Sequence, residues 1–265
     1  LTTSTHEDIL FFTDKGKAYQ IKAYELPEGR RATKGKSIMN YLSLGGEESV
    51  TSMLAMPKEV KSAEQLSLMM ITERGVVKKV AADGFKDVRR SGLIAIKLPP
   101  GDQLATARFV GKNDDLSLVS QEGQSIRFKH SDVREMGRNA GGVRGMNLKG
   151  KDKIVTADVV KASDKEPLLI VLSEKGYGKM TKMAEYKVQK RGGSGIKTAK
   201  VTPKTGKIMT GLVVPDREGE IVAISKNSQV IRVTLQEVPV LGRQTQGVRI
   251  MKLREGDSIA SLITL

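Results

Sequence analysis

Short apolar runs punctuate the chain at residues 9–12, 66–71, 116–119, 168–172 and 221–224. Each is followed by a tight polar turn and a stretch such as Ala18-Tyr19-Gln20-Ile21-Lys22, in which polar and apolar residues alternate. Runs of this length, bounded by turn residues, predict strands, and the alternation predicts a returning hairpin partner. The turns Asp14-Lys15-Gly16, Glu73-Arg74-Gly75, Gln121-Glu122-Gly123, Glu174-Lys175-Gly176 and Lys226-Asn227-Ser228 fall in register. Glycine takes the positive-φ position there. From Gly16 to Gly75, Gly123, Gly176 and Ser228 the steps are 59, 48, 53 and 52 residues. A period near fifty with strand content predicts a propeller or array, because one copy cannot bury its own apolar face.

The first copy shows the plan: a strand at 8–13, a turn at 14–17, a strand at 18–22, a loop at 25–29, a basic segment at 30–36, a third strand at 37–42 and a fourth at 49–54. The same order recurs in copies at 64–110, 114–160, 166–214 and 219–265, after a first copy at 7–56. Four strands per copy make a blade, and radial repetition of blades protects sheet edges. The expected fold is an all-β, propeller-like single domain, 1–265, of about five four-stranded blades in a closed or an open ring. Leu1-Thr2-Thr3-Ser4-Thr5 matches the fourth strand of an upstream copy, which predicts a closing strand contributed across a blade boundary. Residues 57–63 read as an exposed loop.

Composition narrows the function. Lys and Arg number 45 against 30 Asp and Glu, a net charge of +15, which points to a polyanion, most commonly nucleic acid. There is no Cys, so disulfides and cysteine-type zinc sites are excluded. Aromatic residues make up only 4%, against single-strand binding by base stacking. Apolar runs are too short to span a bilayer, and the N-terminal residues lack a basic and apolar leader pattern. A cytoplasmic fragment of a longer protein is expected, an organellar homologue being the variant.

The charge recurs in one place of the period. Arg-x-x-x-Gly appears at Arg31 to Gly35, Arg138 to Gly142, Arg191 to Gly195 and Arg243 to Gly247, and one residue shorter at Arg89 to Gly92. A cation follows each: Lys36, Lys97, Arg144, Lys197 and Arg249. Small residues let backbone amides approach a phosphate, and flanking cations supply charge-assisted bonds. Surface charge of no function need not recur in register. The expected contacts are Arg30, Arg31, Lys34, Lys36, Arg89, Arg90, Lys97, Arg138, Arg144, Gln189, Lys190, Arg191, Gly192, Gly193, Gly195, Lys197, Arg243 and Arg249.

Other motifs add little. In Gly192-Gly193-Ser194-Gly195-Ile196-Lys197-Thr198, Ile196 interrupts the adjacency a nucleotide loop needs. His6 and His130 are isolated, and the carboxylates lie scattered in turns without an acid–base pair. The methionines, Met69, Met70 and Met209 among them, sit at strand positions as core fillers. No catalytic site, metal or cofactor is expected.

The loop Gln189-Lys190-Arg191-Gly192-Gly193-Ser194-Gly195 resembles the seven-residue box found in the family of the DNA gyrase A subunit, Gln-Arg-Arg-Gly-Gly-Lys-Gly, with Ser194 in place of a lysine. Tyr24-Glu25-Leu26-Pro27-Glu28, Gly142-Val143-Arg144-Gly145, Gly176-Tyr177-Gly178-Lys179 and the segment from Gly242 to Val248 resemble the same family's C-terminal domain, in the right order. The resemblance implies a β-pinwheel that wraps duplex DNA around a basic rim. It implies partnership with the rest of the gyrase A subunit, and with the gyrase B subunit, in ATP-dependent negative supercoiling. Cleavage chemistry lies elsewhere in that family, on a tyrosine preceded by arginine; none of the five tyrosines here has that neighbour. In the family the box usually lies in the first blade, so the true box either lies upstream or is this later loop. The equivalent domain of topoisomerase IV, and a basic propeller that binds acidic proteins, are the alternative readings.

Wrapping is energetically feasible. A compact chain of this length has a radius of gyration near 18 Å, hence a rim of roughly 150 Å or about 45 base pairs. Bending DNA through about 180° at that radius costs on the order of 14 kcal/mol. Each neutralised phosphate contributes roughly 1.2 kcal/mol at 0.1 M relative to 1 M salt, so about a dozen contacts offset the bend.

Overall fold

The computed structural model describes residues 1, 3–29, 34–56 and 66–265; the predicted loop at 57–63 lies outside them. Copy one supplies β1 (Asp8–Thr13), β2 (Lys17–Lys22) and β3 (Val50–Ala55). Copy two supplies β4 (Ser67–Thr72), β5 (Val76–Ala81), β6 (Leu93–Ile94) and β7 (Leu104–Val110). Copy three supplies β8 (Asp115–Ser120), β9 (Gln124–Lys129), β10 (Val143–Arg144) and β11 (Ile154–Val160). Copy four supplies β12 (Leu168–Ser173), β13 (Tyr177–Lys182), β14 (Val188–Gln189), β15 (Ile196–Lys197) and β16 (Ile208–Val214). Copy five supplies β17 (Glu220–Ser225), β18 (Val230–Thr234), β19 (Val248–Arg249) and β20 (Ile259–Thr264). Among the described residues the only helical segments are short 3-10 turns. The fold is an all-β pinwheel of five small blades.

The chain divides into two compact units, one of residues 1–112 and 133–143, the other of residues 113–132 and 144–265. The first unit holds blades one and two, the second blades three to five. In every blade the first strand of the copy lies at the centre, between its hairpin partner and the last strand of the copy. That position explains the unbroken apolar runs. Leu168, Ile170 and Leu172 of β12 enter one buried cluster, and Leu169 and Val171 enter another. Likewise Leu10 and Phe12 of β1 face one cluster while Ile9 and Phe11 face a second. A strand sandwiched by apolar layers on both faces has no polar face to alternate with. The methionines behave as expected at Met69 and Met70, both fully buried, and Met209 packs against the core of the second unit.

A bulge recurs where the central strand meets its hairpin turn: the register with the outer strand shifts at Phe12/Thr13, Ile71/Thr72, Leu172/Ser173 and Ile224/Ser225. The Ser or Thr at that point caps the turn. Thr72 Oγ1 accepts from Val76 N (3.1 Å), Ser120 Oγ from Gln124 N (3.2 Å) and Ser225 Oγ from Gln229 N (3.0 Å). The acidic turns have a structural use as well. Asp102 accepts from Arg74 N (3.1 Å), Asp152 from Glu122 N (3.0 Å) and Asp257 from Asn227 N (3.1 Å), each carboxylate closing the hairpin turn beside it.

Two strand expectations fail. Residues 37–42 form no strand but a 3-10 turn at Ile38–Asn40, with Ser37 Oγ accepting from Met39 N (3.3 Å). Residues 3–5 also form no strand; Ser4 and Thr5 spend their carbonyls on turn bonds from Glu7 N and Tyr24 N (both 3.0 Å). Exchange across a blade boundary is real, but a different segment performs it. The two-residue strands that follow the basic loops pair with the copy before: β6 with β2, β15 with β9 and β19 with β13. Among the described residues, blade three also takes β14, parallel to β9, and reaches five strands, while blade five has three.

Candidate nucleic-acid interface

The basic loops are placed by the hairpin turns of the preceding copy. The carbonyl of Gly16 accepts two amides, Ala95 N (2.9 Å) and Ile96 N (3.1 Å), just beyond β6. Gly123 O accepts Thr198 N (2.8 Å) and Ala199 N (3.3 Å), and Gly176 O accepts Ile250 N (2.8 Å) and Met251 N (3.1 Å). Gly16, Gly123 and Gly176 are therefore each also a socket for the next copy's loop. Crowding explains why glycine is needed: at Gly176, with φ +78°, a Cβ would sit 2.2 Å from Met251 O. The glycine that ends Arg-x-x-x-Gly has a matching reason. At Gly195 a Cβ would lie 2.4 Å from Ser125 O, and at Gly247 2.5 Å from Gly178 O. These glycines let the exchange strand dock on its neighbour, a packing role additional to any approach of phosphate.

Successive loops are also bonded to one another. Lys97 N donates to Ala140 O (3.4 Å) in the first unit. In the second, Asn147 N donates to Gly193 O (2.9 Å) and Lys200 N to Thr245 O (3.0 Å), at corresponding positions of the period. Two arginines reinforce the chain. Arg191 Nη1 reaches Arg144 O (3.0 Å), and its Nε reaches Asp132 O (2.9 Å). Arg243 Nη1 reaches Lys197 O (3.2 Å), while Glu185 accepts from Arg243 N (3.3 Å). In the second unit the loops thus form one hydrogen-bonded belt carrying Arg144, Lys190, Arg191, Lys197, Arg243 and Arg249.

The expected contacts sort by exposure. Lys34, Lys36, Arg89, Arg90, Lys97, Arg138, Arg144, Lys190, Lys197 and Arg249 are exposed, as phosphate contacts require. Arg90 is already paired with Glu25 (2.6 Å). Arg191, Arg243 and Gln189 are half-buried, as are Gly192, Gly193 and Gly195. The two arginines spend part of their donor sets on holding the belt together. Arg30 and Arg31 lie outside the described residues.

Two further residues govern the loops. Lys78 of β5 and Lys179 of β13 stand at corresponding positions, three residues after the turn glycine, and are 0% and 1% exposed. Lys78 Nζ donates to Ala95 O (2.8 Å) and to Arg138 O. Lys179 Nζ donates to Gly242 O (2.5 Å) and Arg243 O (2.8 Å). In both, an ammonium pins the first turn of an Arg-x-x-x-Gly loop by its carbonyls. Burial pushes Lys78 down to about 8. Burial does the same to Lys179, also to about 8, with the Glu185 carboxylate opposing and the Arg243 guanidinium adding to the fall. The sequence does hold a signal for them: Tyr19, Ile126 and Ile231 occupy the same position in the other copies, so a lysine there interrupts an inward-facing series.

A family profile described as the DNA gyrase C-terminal domain, beta-propeller, matches residues 7–55, 67–110, 114–161, 167–215 and 219–265. The chain is 36% identical over 262 residues to the A subunit of DNA gyrase from Staphylococcus epidermidis (strain ATCC 12228 / FDA PCI 1200), covering 99% of this chain and 29% of that protein. It is 40% identical over 262 residues to the A subunit of DNA gyrase from Mycolicibacterium smegmatis (strain ATCC 700084 / mc(2)155), covering 98% and 30% respectively. It thus spans about three-tenths of the length of these relatives. A solved structure of a DNA gyrase A C-terminal domain superposes with a TM-score of 0.85 at 29% identity, covering 99% of this chain and 84% of that one. The C-terminal domain of a DNA topoisomerase IV shares the fold, with a TM-score of 0.85 at 23% identity, covering 99% and 80%.

Proposed function

The chain belongs to the DNA gyrase C-terminal domain family, and from that premise we propose that it binds duplex DNA along its basic loops and bends it. It does so without reading bases, since phosphate contacts carry position but no sequence code. In this reading it is a non-catalytic part of a type II topoisomerase. Cleavage and ATP use reside in the remainder of the holoenzyme, and the bent duplex is the substrate on which its A and B subunits produce negative supercoils. The domain itself needs no metal or cofactor.

The observation that carries the reading is the bonded succession of loops. Exposed Arg144, Lys190, Lys197 and Arg249 are held on backbone fixed by Gly123 and Gly176 sockets and by the Arg191 and Arg243 bonds. Cations on a fixed scaffold lose little entropy when they meet a rigid polyanion. Ser194 leaves the 189–195 loop one cation short of the family box, so its neighbours Lys190 and Lys197 supply the charge there.

The test is duplex affinity as a function of salt for Arg138→Ala, Arg191→Ala and Arg243→Ala. Each is expected to weaken binding about three- to tenfold and to lower the slope of log K against log salt by about 0.9. Three variants with unchanged affinity and slope would end the proposal. Bending is read separately, from energy transfer between dyes at the duplex ends. Binding without end approach would leave a DNA-binding domain that does not wrap.

A further inference from the structure

Beside the belt, the hairpin turn of blade four and the copy-five segment that follows β19 bring together a concentration of charge that the repeat does not require. A cavity of about 300 Å³ is lined by Lys175, Lys204, Arg249, Lys252 and Arg254 around Tyr177. Asp257 is the one carboxylate in the lining, so five cations face one anion, a surplus of four. Asp257 is also occupied: Ser225 Oγ (2.5 Å), Asn227 N (3.1 Å) and Ser258 N (2.8 Å) all donate to it. Among the described residues none of the five cations forms an ion pair. Lys175 Nζ bonds only Pro203 O (2.7 Å), and Arg249 Nη2 donates to the Tyr177 hydroxyl (2.9 Å).

The floor is built as well as charged. The Tyr177 ring is buried, with Lys204 Nζ 5.5 Å and the Arg249 guanidinium carbon 5.3 Å from its centroid. An aromatic face attracts cations and holds them near one another against their repulsion. Since both cations already cover the ring, it is not a platform for a base, and the ligand must be an anion that the cations reach around. The corresponding hairpin of blade three shows that the repeat does not require this charge. There Glu122 and Gln124 replace Lys175 and Tyr177, and the cavity beside them includes Asp152. Glu122 is paired with Lys207 at 2.8 Å.

We propose that the blade-four cup is a binding site for phosphate oxygens. Lys252, Arg254 and Lys175 contact the anion, and Arg249 is oriented by Tyr177. Tetrahedral oxyanions match such a set because several donors converge and each bond is charge-assisted. The cup holds a polyphosphate in full, and it also accepts a single phosphodiester presented at its mouth. A free polyphosphate and the backbone of a bound duplex offer the same oxygens. Of the belt cations only Arg249 also lines the cup, and none of the three anion contacts belongs to the belt, so the site survives or fails independently of the proposal above.

The experiment is calorimetric and NMR titration of the chain with inorganic tripolyphosphate at low salt. One saturable site is expected, with the largest amide shifts at 175–177 and 249–257. Lys252→Ala with Arg254→Ala should weaken it by about tenfold or more. The charge-matched pair Lys161→Ala with Lys165→Ala, beside a different cavity, should change it less than about twofold. Both pairs have exposed side chains, and backbone spectra report whether either disturbs the fold. Equal loss in the two pairs, or no loss in the first, overturns the site, because binding would then follow net charge alone. A short duplex is then added to the loaded protein. Displacement identifies the backbone phosphate as the source, and simultaneous binding identifies free polyphosphate; either supports the cup.

Discussion

At the scale of single residues, the loops depend on two ammonium groups that water does not reach. Lys78 and Lys179 are held down to about 8 by burial. A lysine in the unfolded chain titrates at about 10.4, so between these values the unfolded state binds more protons than the folded one. The burial penalty is fully present below pH 8 and fades as pH rises toward 10.4, so the stability these groups contribute increases across that window, on the order of 3 kcal/mol each. Urea unfolding at several pH values should show this rise in the wild-type chain and lose it in Lys78→Met with Lys179→Met. Identical pH slopes would show that the two lysines titrate normally. Carbon NMR of the lysine Cε groups should find two resonances with midpoints near pH 8, well below the rest. At the same scale, Arg243→Ala should speed amide exchange over 243–247, because Arg243 also bonds Lys197 O. Arg138→Ala should leave exchange unchanged and reduce only DNA affinity. Composition flagged these arginines as charge; only their contacts separate the anchor from the free cation.

At the scale of elements, the hairpin turn and the basic loop are halves of one joint. The turn glycines were legible from spacing, because positive φ restricts the residue type. Their second role as sockets was not, since it depends on backbone from a segment 74 to 80 residues further on. Gly176→Ala should cost about 2–4 kcal/mol, through a strained positive φ and a Cβ driven against Met251 O. The loss should appear as a lower urea midpoint, with faster hydrogen exchange at Ile250 and Met251. A variant as stable as the parent would remove the socket from the account. Residues 37–42 read as strand because their local pattern permits it, but Ser37 caps a 3-10 turn there instead. The central strands were legible as continuous apolar runs, and the structure gives the reason: both of their faces pack on apolar layers.

At the scale of the whole molecule, a charge of +15 on 265 residues makes association with any polyanion steeply dependent on salt. Charge alone does not separate DNA from an acidic protein, since low salt strengthens both. Competition does: duplex DNA should be displaced by unrelated duplex of equal length and far less by an acidic protein of equal charge. Sequence-specific displacement would contradict phosphate-only recognition. Affinity should also grow with duplex length until the cationic loops are filled and then level off.

The amino-acid order by itself determined the period, the hairpins, the all-β class and the recurrence of cations after each loop, because these follow from local φ preferences, strand patterning and counting. The three-dimensional structure decided which copy each short strand completes, why glycine is required where copies meet, and which lysines and arginines are free to bind. It also gathered Lys175, Lys204, Arg249, Lys252 and Arg254 around one tyrosine. Those outcomes rest on contacts between residues distant in the chain, and no local propensity encodes a distance across a sheet edge.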